Sequence, residues 1–203
     1  MVRPTMRNYA LLFLVPVVLL LSGCPTISNC PTTWTIGPRP STWAVQMKGT
    51  CNVPNFYMLN DNLYRSGQPT EVGMVQLREI AGIKTIINLR TFHSDSDEIG
   101  STGLLNDRLH VKAWHIEDED VIKVMKDLSH GEKGPFLIHC QHGADRTGVM
   151  CAMYRILNQG WTKEEAIDEM VNGGYGFHPL WSNIITYIQS ADIEKLRKAI
   201  QAK

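Results

Sequence analysis

The sequence has no charge of one sign to spare: 20 Lys and Arg stand against 20 Asp and Glu. Without a basic excess there is no electrostatic footprint for a phosphate backbone, so nucleic acid is not an expected partner. No internal repeat is visible. Long apolar runs are also lacking: ALLFLVPVVLLL, near the N-terminus, falls short of the roughly 20 residues that a comfortable bilayer span needs. Cysteine is sparse, five in 203 residues, and each has its own reading.

What is present begins with that apolar run. Arg3 and Arg7 precede it and LSGC, Leu21 to Cys24, ends it, the pattern of a secretory signal with a lipobox. Ser22 and Gly23 suit a peptidase that cleaves just ahead of a lipid-bearing cysteine; an ordinary cleaved signal or an uncleaved anchor is the alternative. On the lipoprotein reading, 1–23 is a signal peptide and Cys24 carries lipid. The mature chain is then tethered to a membrane on the extracytoplasmic, periplasmic side of a bacterial envelope. Residues 24–51 are rich in Pro, Thr and Ser without periodicity and read as a tether. Residues 52–203 suffice for one domain with its own core. Cys30 and Cys51 flank the tether in a compartment that can oxidise thiols, so they are either bridged or two tolerated thiols.

Alternation follows. NLYRSGQPT reads as a short strand and turn. PTEVGMVQLREIAG carries a helical stripe of Val72, Val75, Leu77 and Ile80, with Thr70 as N-cap and a stop at Gly82. IKTIINLR is a buried strand, FHSDSDEIGSTG a polar loop and RLHVKAWHI a second strand. EDEDVIKVMKDL is a helix with acids in its first turn and Val121, Val124, Met125 and Leu128 on one face. GPFLIHC is another strand, TGVMCAMYRILNQ and TKEEAIDEMVN are helices, and one or two more close the chain. The expected fold class is therefore α/β, a mostly parallel central sheet with helices on both faces. Ligands of such sheets sit beyond the carboxyl ends of the strands, which is where His139 and Cys140 fall.

The decisive stretch is FLIHCQHGADRTGVMCAMYRIL, Phe136 to Leu157. A turn between a buried strand and a helix N-terminus gathers backbone N–H groups and partial positive charge at one spot, which suits an anion with several oxygens. Gly143 and Gly148 allow tight bending and close approach. Arg146 offers a planar fork for two phosphoryl oxygens. The same field favours a thiolate over a thiol, making Cys140 a candidate nucleophile. A zinc site is the weaker reading, because H-C-x-H crowds its ligands into four residues with no second pair nearby.

HCQHGADRTG resembles the His-Cys-x5-Arg-Ser/Thr signature of the cysteine-dependent protein tyrosine phosphatases. NLYRSGQPT, GIKTIINLR, EEAIDEM and GGYGFHP resemble bacterial members of their dual-specificity branch, some of them exported. The likeness runs from about Asn55 to the end. It implies Cys140 as nucleophile, Arg146 as phosphate clamp, and a cradle of backbone amides from Gln141, His142, Gly143, Ala144, Asp145 and Arg146. It further implies a Thr147 hydroxyl that donates to the Cys140 sulfur and a His139 that braces the loop. No cofactor and no metal are implied, and a monomer is expected. The family's general acid is an Asp upstream of the Cys, on a loop before a helix. AWHIEDEDVIK offers Asp118 as the choice, with Glu117, Asp120 and His115 behind it.

The substrate expected is a phosphorylated protein, phosphotyrosine first. Small phosphoesters such as inositol phosphates are the alternative, and a catalytically weak phospho-ligand binding module is the second. Few cations among the five loop residues favour monoesters, as does Asp145, which would repel a second phosphate if it pointed inward. Arg65 and Arg90 are candidates for substrate contact, with structural ion pairs as the alternative. His178 and Tyr175 lie on a Gly-rich loop that either borders the cleft or merely joins two helices.

Overall fold

Side chains alternate across a strand, so a strand rich in Ile, Leu and Phe has to be covered on both faces. The computed structural model describes residues 39–48 and 51–202, all within one compact unit, 33–203. Six strands, β1 (Val45–Gln46), β2 (Tyr57–Asn60), β3 (Leu63–Ser66), β4 (Thr85–Asn88), β5 (Leu105–Arg108) and β6 (Phe136–His139), form one sheet ordered β1-β2-β3-β6-β4-β5. The first three pair antiparallel; β3 with β6, β6 with β4, and β4 with β5 pair parallel. Among the described residues seven α-helices accompany them: α1 (Glu71–Ile80), α2 (Ser96–Ile99), α3 (Asp118–Ser129), α4 (Asp145–Gln159), α5 (Lys163–Asn172), α6 (Ser182–Ser190) and α7 (Ile193–Gln201).

The alternation assigns the two layers. Tyr64, Ile86 and Leu137 share a core with Met74 and Leu77 of α1 and Ile99 of α2. Leu63, Ile87, Phe136 and Ile138 face the larger layer, where Val121, Val124, Met153, Ile156, Met170, Ile188 and Leu196 bring in α3 to α7. Parallel register puts Ser66 and Asn88 directly beside His139, so three strands end on one line. The site is built on that line.

Several expectations need correction. On α1, Thr70 does cap, accepting from the Gly73 N–H at 3.1 Å, but the buried face is Gly73, Met74 and Leu77, while Val72 and Ile80 are 56% and 72% exposed. The reason is close approach: a Cβ on Gly73 would lie 2.3 Å from the Asn52 carbonyl oxygen, so the helix docks by its glycine. The polar loop contains α2. The second expected strand is displaced: β5 ends at Arg108, and beyond it the chain is irregular apart from the bridge Lys112 to His115.

Residues 39–48, which composition assigns to a tether, are packed on the domain. Val45 and Gln46 pair with β2, and Ala44 is buried with its N–H donating to Glu169 Oε1 at 2.6 Å. The Arg39 guanidinium lies against the rings of Trp43, Tyr57 and Tyr175 and donates to the Gly173 carbonyl and the Tyr175 hydroxyl. A few docking residues carry no periodicity, which is why composition misses them. Cys51 is disulfide-bonded. Cys30, the signal segment and Cys24 lie outside the described residues. Cys151 is a buried thiol on α4, pushed up to about 11 by burial, and so chemically quiet.

Glu169 ties this N-terminal segment to the helices. Its carboxylate accepts from Arg155 Nε at 2.8 Å and Nη2 at 3.0 Å, from the Ala44 N–H, and from the Tyr175 hydroxyl at 2.9 Å. Burial pushes this carboxyl up, but the bonds from Arg155, Ala44 and Tyr175 prevail and hold it below the usual Glu range. A depressed folded pKa stabilises at neutral pH and is lost as pH falls through the folded value. Glu169→Gln is expected to cost about 3–5 kcal/mol at pH 7 and to narrow that gap in acid, read by urea unfolding at both pH values.

Candidate active site

Strand β6 delivers a buried His139 and a Cys140 that is 2% exposed, and α4 begins five residues later at Asp145. Between them the chain is held from outside. Gln68 N–H donates to the Gln141 carbonyl at 3.1 Å, Asn55 Nδ2 to the His142 carbonyl at 2.9 Å, and Arg65 Nη2 to the Gly143 carbonyl at 2.6 Å. In a planar trans peptide the next N–H points opposite to the carbonyl. Three outward carbonyls therefore turn the N–H groups of His142, Gly143 and Ala144 toward the other side, where an anion would sit. Gly143 makes this possible: its φ is +71°, and a Cβ there would lie 2.4 Å from the Ser66 carbonyl carbon and 2.5 Å from the Gly67 nitrogen. Gly148 has another task. A Cβ on it would meet Met170 Cγ at 3.0 Å, so this glycine lets α5 lie close to α4 and does not serve the loop.

Arg65 is buried, its guanidinium carbon 3.6 Å from the centre of the Tyr175 ring, and it braces the loop from behind without reaching a substrate. Arg90 takes the other part. With Arg146 and Gln141 it lines a cavity of about 290 Å³, walled also by Thr91, Phe92, Ala113, Trp114 and Trp181. Burial lowers the Arg90 pKa, Asp95 opposes this, and the like charge of Arg146 adds to it. Phe92 and Trp114 are 91% and 58% exposed, aromatic surface at the mouth of a cationic pocket.

Beneath the loop lies a network that the sequence did not disclose. His139 Nε2 is 2.7 Å from Asp95 Oδ2, both side chains fully buried, and His139 Nδ1 is 3.3 Å from the Cys140 carbonyl. The Asp95 carboxylate can only accept, so the ring nitrogen that faces it is the donor. Asp95 Oδ1 accepts from Gln68 Nε2 at 2.8 Å, and Gln68 Oε1 accepts from Arg90 Nη1 at 2.7 Å. Burial pushes the Asp95 carboxyl up, yet the bonds from His139 and Gln68 and the nearby His93 hold it below the usual range.

Comparison with known proteins bears directly on this loop. The family model described as "DSP-PTPase phosphatase fused to NAD+ Kinase" matches residues 56–174. The dual specificity protein phosphatase TpbA of Pseudomonas aeruginosa (strain UCBPP-PA14) is 34% identical over 169 residues, 82% of this chain and 74% of the relative. A crystal structure of P. aeruginosa TpbA superposes with a TM-score of 0.73 at 32% identity, covering 81% of this chain and 100% of that one. A Cys-to-Ser variant of TpbA in complex with phosphotyrosine gives 0.72 at 31% identity, covering 82% and 100%. The chain belongs to the dual-specificity family of cysteine-dependent protein tyrosine phosphatases.

Within this family's frame, the structure bears on three of the expected residues. Thr147 Oγ1 is buried and has no hydrogen-bond partner among the described residues, so the expected bond to the Cys140 sulfur is not made here. Asp118 faces away: Lys195 Nζ donates to its Oδ2 at 2.8 Å and the Tyr187 hydroxyl to its Oδ1 at 3.1 Å. The Lys195 hydrogen bond in particular holds Asp118 below the usual carboxylate range, the wrong direction for an acid that must carry a proton. Glu117 pairs with His115 and caps α3 with Asp120, which lines a separate cavity with Arg108, His110 and Lys123. That segment reaches the catalytic cavity through Ala113 and Trp114 instead, because the chain leaves the sheet at Arg108 and α3 turns Asp118 toward α6 and α7. Asp145, lastly, does not point inward: its two oxygens accept from the His178 N–H at 2.9 Å and meet His178 Nδ1 at 2.8 Å.

Two substitutions check this geometry. Asp95→Asn keeps the shape but removes the charge facing His139, and misplacement of the loop should cut kcat/KM by on the order of 10- to 100-fold. Asp118→Asn should leave turnover of an unactivated aryl phosphate close to wild type.

Proposed function

We infer that this protein hydrolyses phosphoric monoesters through a phosphocysteine, with phosphotyrosine-bearing protein as its substrate class. The observation that carries the reading is Cys140 buried at the end of β6, where the loop amides turn inward, with its neighbour Gln141 and Arg146 both on the adjoining cavity. The phosphoryl oxygens take the inward N–H groups and the Arg146 fork, which spread the charge of the transition state. The Cys140 sulfur bonds to phosphorus as the ester oxygen departs and takes up a proton from solvent water. Water then attacks the phosphocysteine, the S–P bond breaks, and inorganic phosphate leaves. The unpartnered Thr147 hydroxyl is available to the sulfur as it departs. No step calls for a metal, since the loop and Arg146 supply the positive charge.

Phe92, Trp114 and Trp181 give the cavity aromatic walls that suit a phenyl ring. The relative TpbA, captured as a Cys-to-Ser variant with phosphotyrosine, supports the same choice. A second reading, small phosphoesters with more than one phosphate, is favoured by Arg90 beside Arg146 and by the outward aim of Asp145. We place the protein on a bacterial membrane facing the periplasmic side, on the strength of Leu21 to Cys24.

The reading is tested by turnover on phosphotyrosine peptide, phosphoserine peptide and inositol phosphates. Phosphotyrosine should be preferred, and Cys140→Ser should remove turnover while phosphate analogues still bind. Arg146→Lys should fail as well, because an ammonium cannot replace the fork. Activity that survives Cys140→Ser would overturn the mechanism. For the location, Cys24→Ala should abolish lipid labelling and detergent-phase partitioning in a bacterial host; unchanged partitioning would refute it.

A further inference from the structure

We propose that His142, Asp145 and His178 form a binding site for a divalent transition metal at the edge of the signature loop. One ligand atom from each lies within 4.8 Å of the others. The set joins two loops that are remote in sequence, with His142 inside the signature, Asp145 opening α4, and His178 following the Gly-rich turn after α5. Two imidazoles with one carboxylate select zinc, cobalt or nickel over magnesium or calcium, which prefer oxygen ligands.

The geometry is assembled without the ion. Asp145 Oδ1 is fixed by the His178 backbone N–H at 2.9 Å, which leaves Oδ2 to face His178 Nδ1 at 2.8 Å. Asn55 Nδ2 holds both loops, donating to the His142 carbonyl at 2.9 Å and to the Tyr175 carbonyl at 2.8 Å. The His142 and His178 rings lie 5.4 Å apart at 59°, close enough for both to offer a nitrogen to one ion. Tetrahedral zinc at about 2.0–2.2 Å from each donor needs donor pairs roughly 3.3 Å apart. A small opening of the Asp145–His178 pair and a turn of the exposed His142 ring meet that requirement. The ion takes the place of the hydrogen between Asp145 Oδ2 and His178 Nδ1, which is released to solvent, and leaves a fourth position for water. The positive field of the loop works against a cation, and the Asp145 carboxylate offsets it. The ion takes no part in the Cys140 chemistry; it ties the signature loop to the turn at 173–178.

The test is calorimetric titration of zinc into the chelator-treated full chain carrying Cys140→Ser, so that the nucleophile cannot compete, with cobalt absorption as a second readout. One zinc per chain and no binding of magnesium are expected, together with a cobalt spectrum of nitrogen and oxygen ligands lacking thiolate charge transfer. Adding His178→Ala or His142→Ala should weaken binding at least tenfold. His142→Ala is the cleaner arm, since that ring is exposed and its removal leaves the Asp145–His178 pair in place. Zinc that fails to bind, or that binds equally well to the His142→Ala chain, overturns the proposal.

Discussion

Three backbone carbonyls pulled outward hold this active site open. A loop of consecutive amides would normally satisfy its own carbonyls and N–H groups or close on water, because each buried polar group costs free energy when unpaired. Here Gln68, Asn55 and Arg65 take the carbonyls of Gln141, His142 and Gly143, so the opposing N–H groups face the other side, where they can serve a ligand. The three donors come from the end of β3, the turn after it and the turn before β2, which is why the pairing of β2, β3 and β6 is a precondition for the chemistry.

Gly143 is where that scaffold and the loop touch. Its backbone lies against Ser66 and Gly67 with no room for a methyl group, and its positive φ turns the chain toward α4. Arg65 supports the same residue with its guanidinium over the Tyr175 ring, and Tyr175 in turn donates to Glu169 and receives from Arg39. Support therefore runs from the residues before β1, through the Glu169 cluster, to the back of the phosphate cradle. Residues 39–48, within the segment that composition marks as a tether, belong to the structure of the active site.

The front of the pocket is organised separately. Asp95, Gln68 and Arg90 link the histidine under the loop to the second cation of the cavity. Gln68 belongs to both systems, since its N–H holds the Gln141 carbonyl while its side chain bridges Asp95 and Arg90. Charge at the rim and the shape of the loop are thus set by the same residue.

Local chemistry fixed much of this before folding is considered. The apolar runs of β4 and β6, the Thr70 cap, the stripe of Val121, Val124 and Met125, and the strand, loop and helix order around Cys140 all depend on neighbours a few residues apart, so the sequence determined them. The buried face of α1, the docking of Arg39 and Ala44, and the partners of Asp118, Asp145 and His139 depend on residues far along the chain. Asp95, Asp97 and Glu98 look alike as a run of acids, and only the parallel register that sets Asn88 beside His139 brings Asp95 beneath the imidazole. Asp118 and Asp120 are likewise indistinguishable as first-turn acids, until α6 and α7 give one of them Tyr187 and Lys195. A carboxylate's role is set by which donor it meets, and those donors are chosen by packing across the sheet rather than by spacing along the chain.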